Sequence, residues 1–551
     1  MDPSPANATP RRSLLPLIVA LAAFLLSMLL ATASPLVDPD GGRNAEVARE
    51  MAVDGGLLVP HLAGMPYLDK PPALFWAAAA AIRVAGNEPW AARLPAVLAA
   101  ALTLALLTRS AQHRGGRPFA LRAAALLYCA PLFTVLSAYV IFDMPLTLCV
   151  TAVWLGLAAE VTEGVSGRRR LWMFAAVAAG VLLKGPVMLA WVLGGSLGAA
   201  LLSRSRTPLR WLAWWPGWLV VLGVAGGWFA LASARHPEYP RYAFLEESLE
   251  RLTSGSFKRE QPWWFVPVVL AAGALPWSLA TPWWRRRRAP GETGSGEASL
   301  LSVESRTGLG FVLFAAVLFS LSHSKLVTSL LPALPMLAWT AAEAWSDAGR
   351  ARRAAWGLTA VFATITLVFG LAGFGPWLVR AGAPFDSAGT SAKIIAACFA
   401  YVALRSAAAA LGRPDRAFIG ILLFTPVALF AAGEPLLRYA DSQSGEPLAR
   451  AITAIAPGGF VRYESCYSPG TDFRLGRRSA LVSTLGHETT STYQARYRAT
   501  LVARGLWTPL AAAPDSDRVD VIVHPVTGGL APPAGTMEFF RDDRFVAYVR
   551  R

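Results

Sequence analysis

The chain has 551 residues, 54% of them hydrophobic, with a mean hydropathy of +0.43. Only 16% are charged, against roughly 25% in a soluble globular chain; apolar runs near 20 residues also recur, which excludes a soluble globular protein and points to a membrane protein. A net charge of +16 in a soluble chain would suggest a nucleic-acid partner, but here the arginines sit in short loops between apolar runs, so topology accounts for them and no nucleic acid is expected.

Arg11 and Arg12 lead into an apolar run over residues 13–33. The run is longer than the apolar core of a secretory signal, so it reads as an uncleaved first helix. Residues 34–89 form a long loop with two amphipathic stretches. In "GRNAEVAREMAVDG", Ala45, Val47, Ala48 and Met51 share one helical face and Gly55 ends the helix. "YLDKPPALFWAAAAAIRVAG" starts a second helix at Pro71 and Pro72; it is short for a span and is expected to lie along the membrane interface.

Apolar runs continue at 90–108, 119–138, 144–160, 171–183, 187–203, 211–232, 263–282, 308–322, 326–345, 355–378, 391–411 and 415–435, making about thirteen spans. Every second connection is strongly basic, as in "RSAQHRGGR", Arg168–Arg170, "RSRTPLR", Arg285–Arg288, "RARR" and "GRPDR". That alternation places the N-terminus in the cytoplasm and the C-terminal tail outside. "WLAWWPGW" and two "PWW" triplets lie at run ends, where indole rings favour the interface or fill helix packing. The loop at 234–262 is charged and reads as partly helical, and 289–305 as a flexible cytoplasmic linker.

From about residue 436 the composition changes. "GGFVRYESC", "SALVSTL" and "DRVDVIVHP" read as strands and "TSTYQARYRATLVARG" as a helix. The organisation is therefore a membrane domain over 1–435 and a soluble α/β domain over 436–551. The four cysteines have no spacing that suggests a disulfide framework or a metal site.

Several charged residues fall at the outer ends of the spans: Asp38, Asp40, Arg43, Asp69, Lys70, Asp143, Lys184, His323 and Lys325. Asp143, in "YVIFDMPLTL", is one acid in an apolar stretch, which marks a functional residue. It could equally cap a helix beginning at Met144–Pro145. Lys70, Lys184 and Lys325 each suit a snorkelling interface anchor, but as a cluster beside acids they suit a phosphate with proton transfer nearby. Asp38 with Pro39 reads as a local turn. His61, His113, His236, His487 and His524 show no ligand spacing and read as surface or packing residues.

The ordered series "DPDGGRNAEVAREM", "YLDKPPALFW", "AARLPAVLAA", "FDMPLT", "LKGPV", "RYAFLEESLERL", "PWWFVPVVLAAGALPW" and "SHSKLVTSLLPALP" resembles the bacterial aminoarabinose (lipid A) transferases and the related protein O-mannosyltransferases, GT-C glycosyltransferases. The resemblance covers about residues 10–345. It implies a polytopic α-helical membrane protein of GT-C type with a periplasmic C-terminal domain, in the bacterial inner membrane. The implied donor is a polyprenyl-phosphate-linked sugar; the acceptor is a lipid, a glycan or a protein.

By the same resemblance Asp40 is catalytic, Asp143 shares its cavity, and Lys70 and Arg43 hold the donor phosphate. Lys184 and Lys325 join them as cations of the cluster, and a divalent metal at Asp69 is a further possibility. The chain departs from the family pattern at Gly41, where an acid is common, at Asn44 and Ser329, where Tyr is common, at Asp69 in place of Glu, and at Ser248 in place of His. Two other readings stand beside the enzyme: a lipid-linked-sugar transporter or flippase, and a catalytically inactive scaffold. The sequence shows no paired repeat of the transporter kind.

Overall fold

The computed structural model describes residues 13–249, 260–281, 301–374, 388–412, 418–483, 487–509, 519–527 and 529–550. The expected linker at 289–305 lies outside them up to residue 300; Ser302 then caps the helix Val303–Leu321 by accepting from the Ser305 amide. The second half of the charged loop, residues 250–259, and most of the loop at 379–390 also lie outside.

Eight helices among the described residues are long and apolar enough to cross a membrane. The first, α1 (Leu15–Ala33), has mostly apolar, outward-facing side chains. Between it and the next long helix come α2 (Asp40–Asp54), a hairpin of β1 (His61–Leu62) and β2 (Met65–Pro66), and α3 (Ala73–Ala85). Both amphipathic stretches thus fold as expected. Gly55, at φ +73°, ends α2 by donating to the Met51 carbonyl, a left-handed cap that glycine adopts without a Cβ penalty.

The helix α4 (Pro89–Tyr128) runs through two of the expected spans. Its helical backbone breaks at Gly115 and Gly116, so the "RSAQHRGGR" loop is a kink rather than an open turn. In its first turns Arg93 is buried and donates to the carbonyls of Ala31, Ser34 and Pro35 at 2.6, 2.6 and 2.7 Å. A planar guanidinium thereby satisfies carbonyls at the end of α1 and fixes where the chain turns toward Asp40. The chain continues through α5 (Pro131–Ser137), α6 (Asp143–Glu163), α7 (Gly167–Lys184) and α8 (Pro186–Ser203).

The tail holds a six-stranded sheet in the order β5-β4-β3-β6-β8-β7, with β3 (Val461–Glu464), β4 (Ala480–Ser483), β5 (Thr508–Pro509), β6 (Val521–Pro525), β7 (Thr536–Arg541) and β8 (Phe545–Arg550). Strands β3, β4, β5 and β6 pair in parallel, and β7 and β8 add an antiparallel edge. The predicted strands correspond to β3, β4 and β6. The predicted helix is two short ones, Thr492–Arg496 and Arg498–Ala503.

Asp38 does stand in a turn with Pro39, but it is more than a local turn residue. Its side chain is buried, and its carboxylate accepts from the Ser468 hydroxyl at 2.8 Å and the Gly470 amide at 3.1 Å, while its own amide donates to the Gln443 carbonyl. Gly42 explains the second glycine of "DGGR": a Cβ there would lie 2.7 Å from the Gly470 nitrogen. The first loop and the tail therefore touch backbone to backbone.

This joint carries buried acids. Burial pushes Asp38 up to about 6, against the Ser468 hydrogen bond and Arg544. Burial likewise pushes Asp472 up to about 7, against hydrogen bonds from Ser479. A carboxyl whose folded value is raised keeps a proton that the unfolded chain has already released, so its contribution to stability is present at low pH and falls as pH rises through the window from about 4 to the folded value. Asp472→Asn, neutral at every pH, is expected to gain thermal stability relative to wild type between pH 5 and pH 8. A gap between the two midpoints that is constant with pH would contradict the burial of an ionising group there.

Candidate active site

The last residue of α7 is Lys184; Gly185, at φ +63°, turns the chain into α8, which puts the ammonium at the end of a helical hairpin. Asp143 begins α6, yet no side chain caps that helix end. Its buried carboxylate instead pairs with Lys184. Of the two readings of Asp143, the cap is not the one the hydrogen bonds follow.

Asp40 occupies the first turn of α2, and its half-exposed carboxylate meets Arg43 one turn on at 2.5 Å. Arg43 also donates to the Thr490 hydroxyl at 2.7 Å and lies 5.9 Å from the Tyr67 ring centroid. Lys70 precedes the two prolines that lead into α3 and pairs with Glu247 at 2.5 Å. Its ammonium also donates to the Asp69 carbonyl at 2.9 Å.

These residues line one cavity of about 410 Å³. Asp40, Arg43, Asp69, Lys70, Asp143 and Lys184 all reach it, so six of the seven residues expected to form the site converge. Lys325 is the exception. It does not line the cavity, and its ammonium donates to the Ser322 carbonyl at 2.7 Å. An adjoining groove of about 190 Å³ is walled by Pro186, Val187, Phe229, Tyr239, Leu318 and Phe319, among others. Asp69, Lys70, Lys184, Glu247 and Leu326 line both spaces, so the two lysines stand where a charged cavity opens onto an apolar groove.

Sequence reading missed a whole wall. His487, Thr490, Ser491, Thr492, Ala495 and Arg496 of the tail close one side of the cavity. Asp69 holds them there. It accepts from the amides of Thr492 at 3.1 Å and Tyr493 at 2.8 Å and from the Tyr242 hydroxyl. Gln494 adds hydrogen bonds to the carbonyls of Leu62, Met65 and Pro66 in the β1–β2 hairpin. Serine before a short helix marks Ser491 as a cap, but contacts across 423 and 424 residues leave no local signal.

Both oxygens of Asp69 accept from protein donors, which commits its carboxylate to holding the tail. Among the described residues no group of three or more His, Cys, Asp or Glu side chains comes together to hold a metal. Of the departures from the family pattern, Gly41 faces Tyr139, whose hydroxyl would lie 3.3 Å from a Cβ at that position. Asn44 is buried and donates to the Val140 carbonyl at 2.9 Å.

A family model for dolichyl-phosphate-mannose-protein mannosyltransferase matches residues 69–228. An undecaprenyl phosphate-alpha-4-amino-4-deoxy-L-arabinose arabinosyl transferase 2 of Pseudomonas fluorescens is 30% identical over 349 residues, covering 60% of this chain and 56% of its own. The corresponding transferase of Edwardsiella ictaluri is 30% identical over 312 residues, with 55% and 54% covered. The chain thus spans about half the length of the curated relatives it matches. The crystal structure of ArnT from Cupriavidus metallidurans bound to undecaprenyl phosphate superposes with a TM-score of 0.79 at 22% identity, covering 98% of both chains. The chain shares that fold, and it is a polytopic helical membrane protein.

Proposed function

We propose, from the premise that the chain resembles the aminoarabinose transferases and protein O-mannosyltransferases of the GT-C type, that it transfers a sugar from a polyprenyl-phosphate donor to a lipid, glycan or protein acceptor. One observation carries the reading: Lys70 and Lys184 stand where the charged cavity meets the apolar groove. A polyprenyl phosphate has the same division, a charged head on an apolar chain. With the chain in the groove, the sugar reaches the acids of the cavity.

The chemistry follows from the residue types. Breaking the sugar–phosphate bond leaves positive character at the anomeric carbon and an anionic phosphate. Lys70, Lys184 and Arg43 supply cations to the departing phosphate. Asp40 or Asp143 accepts the acceptor's proton as it attacks. One in-line displacement inverts the anomeric centre. Lys325 lies outside the lining and is given no part in this scheme.

The same reading places the chain in the bacterial inner membrane, with the N-terminus in the cytoplasm and the cavity and tail sheet on the periplasmic side. The alternating basic loops support that orientation. The eight long apolar helices among the described residues and the kinked second leg of α4 support a polytopic chain, and the figure of about thirteen passes rests on the apolar runs of the sequence.

Purified protein is expected to transfer sugar from a synthetic polyprenyl-phosphate sugar without any membrane gradient. Movement of the lipid-linked sugar across a bilayer with no bond broken would favour a transporter instead. Lys70→Ala is expected to weaken binding of undecaprenyl phosphate by about 10- to 100-fold, the range for losing a hydrogen bond to a charged group. Unchanged affinity would remove Lys70 from the phosphate site.

A further inference from the structure

Each of the three cations assigned to the phosphate is held by a carboxylate. Arg43 pairs with Asp40, Lys70 with Glu247 and Lys184 with Asp143. An entering phosphate therefore does not meet waiting cations; it must take them from groups already bound. The three carboxylates are not alike. Asp40 and Asp143 begin α2 and α6, whereas Glu247 comes from the π-helical stretch Tyr242–Leu249. Glu247 also stands at the junction of cavity and groove, beside one of the two lysines that line both spaces.

Resting on the donor assigned above, we propose that Glu247 is a built-in competitor for that phosphate: it occupies Lys70 in the empty site, yields to the donor, and returns to expel the polyprenyl phosphate product. The charges give the reason. The donor is a phosphodiester with one negative charge. The product is a monoester carrying roughly −1.5 to −2 at neutral pH. Lysines strong enough to hold the donor hold the product more tightly, and turnover would stall on it. A tethered carboxylate that reclaims Lys70 lowers the affinity for both, and only the fraction of sites with Lys70 free binds phosphate at full strength.

The competitor makes a prediction of opposite sign to that of a lining ligand. Glu247→Gln in the full-length protein is expected to bind undecaprenyl phosphate on the order of tenfold more tightly. Glu247→Asp, which keeps the charge, is expected to stay near wild type. The gain should vanish when Lys70→Ala is added, because the competition then has no object. In transfer assays Glu247→Gln should keep its single-turnover rate but slow in steady state as product accumulates.

Equal or weaker binding by Glu247→Gln, with Lys70→Ala still weakened, would overturn the competitor and leave the phosphate site standing. A single-turnover rate that falls as far as the steady-state rate would overturn it as well. If Lys70→Ala itself leaves binding unchanged, the reading of the phosphate site fails first. Thermal midpoints matching wild type exclude misfolding as the cause.

Discussion

Asp40→Asn is expected to lower sugar transfer by on the order of 10²- to 10⁴-fold, the contribution of a positioned general base, while leaving the fold intact. The side chain is 56% exposed, and the contact it loses is the pair with Arg43 within one turn of α2. Such an exposed pair contributes about 1 kcal/mol or less. Asp143→Asn should depress transfer as strongly but at a cost to the protein. Its carboxylate and Lys184 are both buried, and removing one partner leaves a buried charge uncompensated. Asp40 is therefore the cleaner test: full activity in Asp40→Asn, with an unchanged melting midpoint, would remove it from the chemistry.

The second large effect falls on a residue that touches no reacting atom. Asp69→Ala is expected to destabilise the docked tail by roughly 3 kcal/mol or more, since it strands two backbone amides and a tyrosine hydroxyl. With Thr490–Arg496 released, one cavity wall opens and transfer should fall with it. Asp69→Glu, which restores a carboxylate one methylene further out, should recover part of both. Protease sensitivity between the membrane helices and the tail sheet reads the docking directly. A resistant tail in Asp69→Ala would show that other contacts, such as Gln494 with the hairpin carbonyls, suffice.

What the sequence revealed followed the range of the interaction behind it. The runs that fold as long apolar helices, the α2 and α3 helices and the stop at Gly55 depend on neighbours a few residues apart, and these were legible. The cation–acid cluster was legible too, because span ends place residues at a common depth; Asp40, Arg43, Asp69, Lys70, Asp143 and Lys184 share a cavity for that reason. A place at a span end says nothing of direction around the bundle, and Lys325 turns to its own loop. The rest was written in long-range pairs. Asp38 is half of an Asp-Pro turn, but its contacts with Ser468 and Gly470 in the tail leave no local trace. Glu247 stood out only as the neighbour of an unexpected serine.

The tail wall also fixes when the site can exist. Asp40 and Lys70 leave the ribosome well before Thr490 and Arg496. A nascent or truncated chain already inserted in the bilayer carries the acids and the cations but not the side that closes over them. The cavity is thus completed only once the tail has been made, and until then its acids and cations stand open on one side.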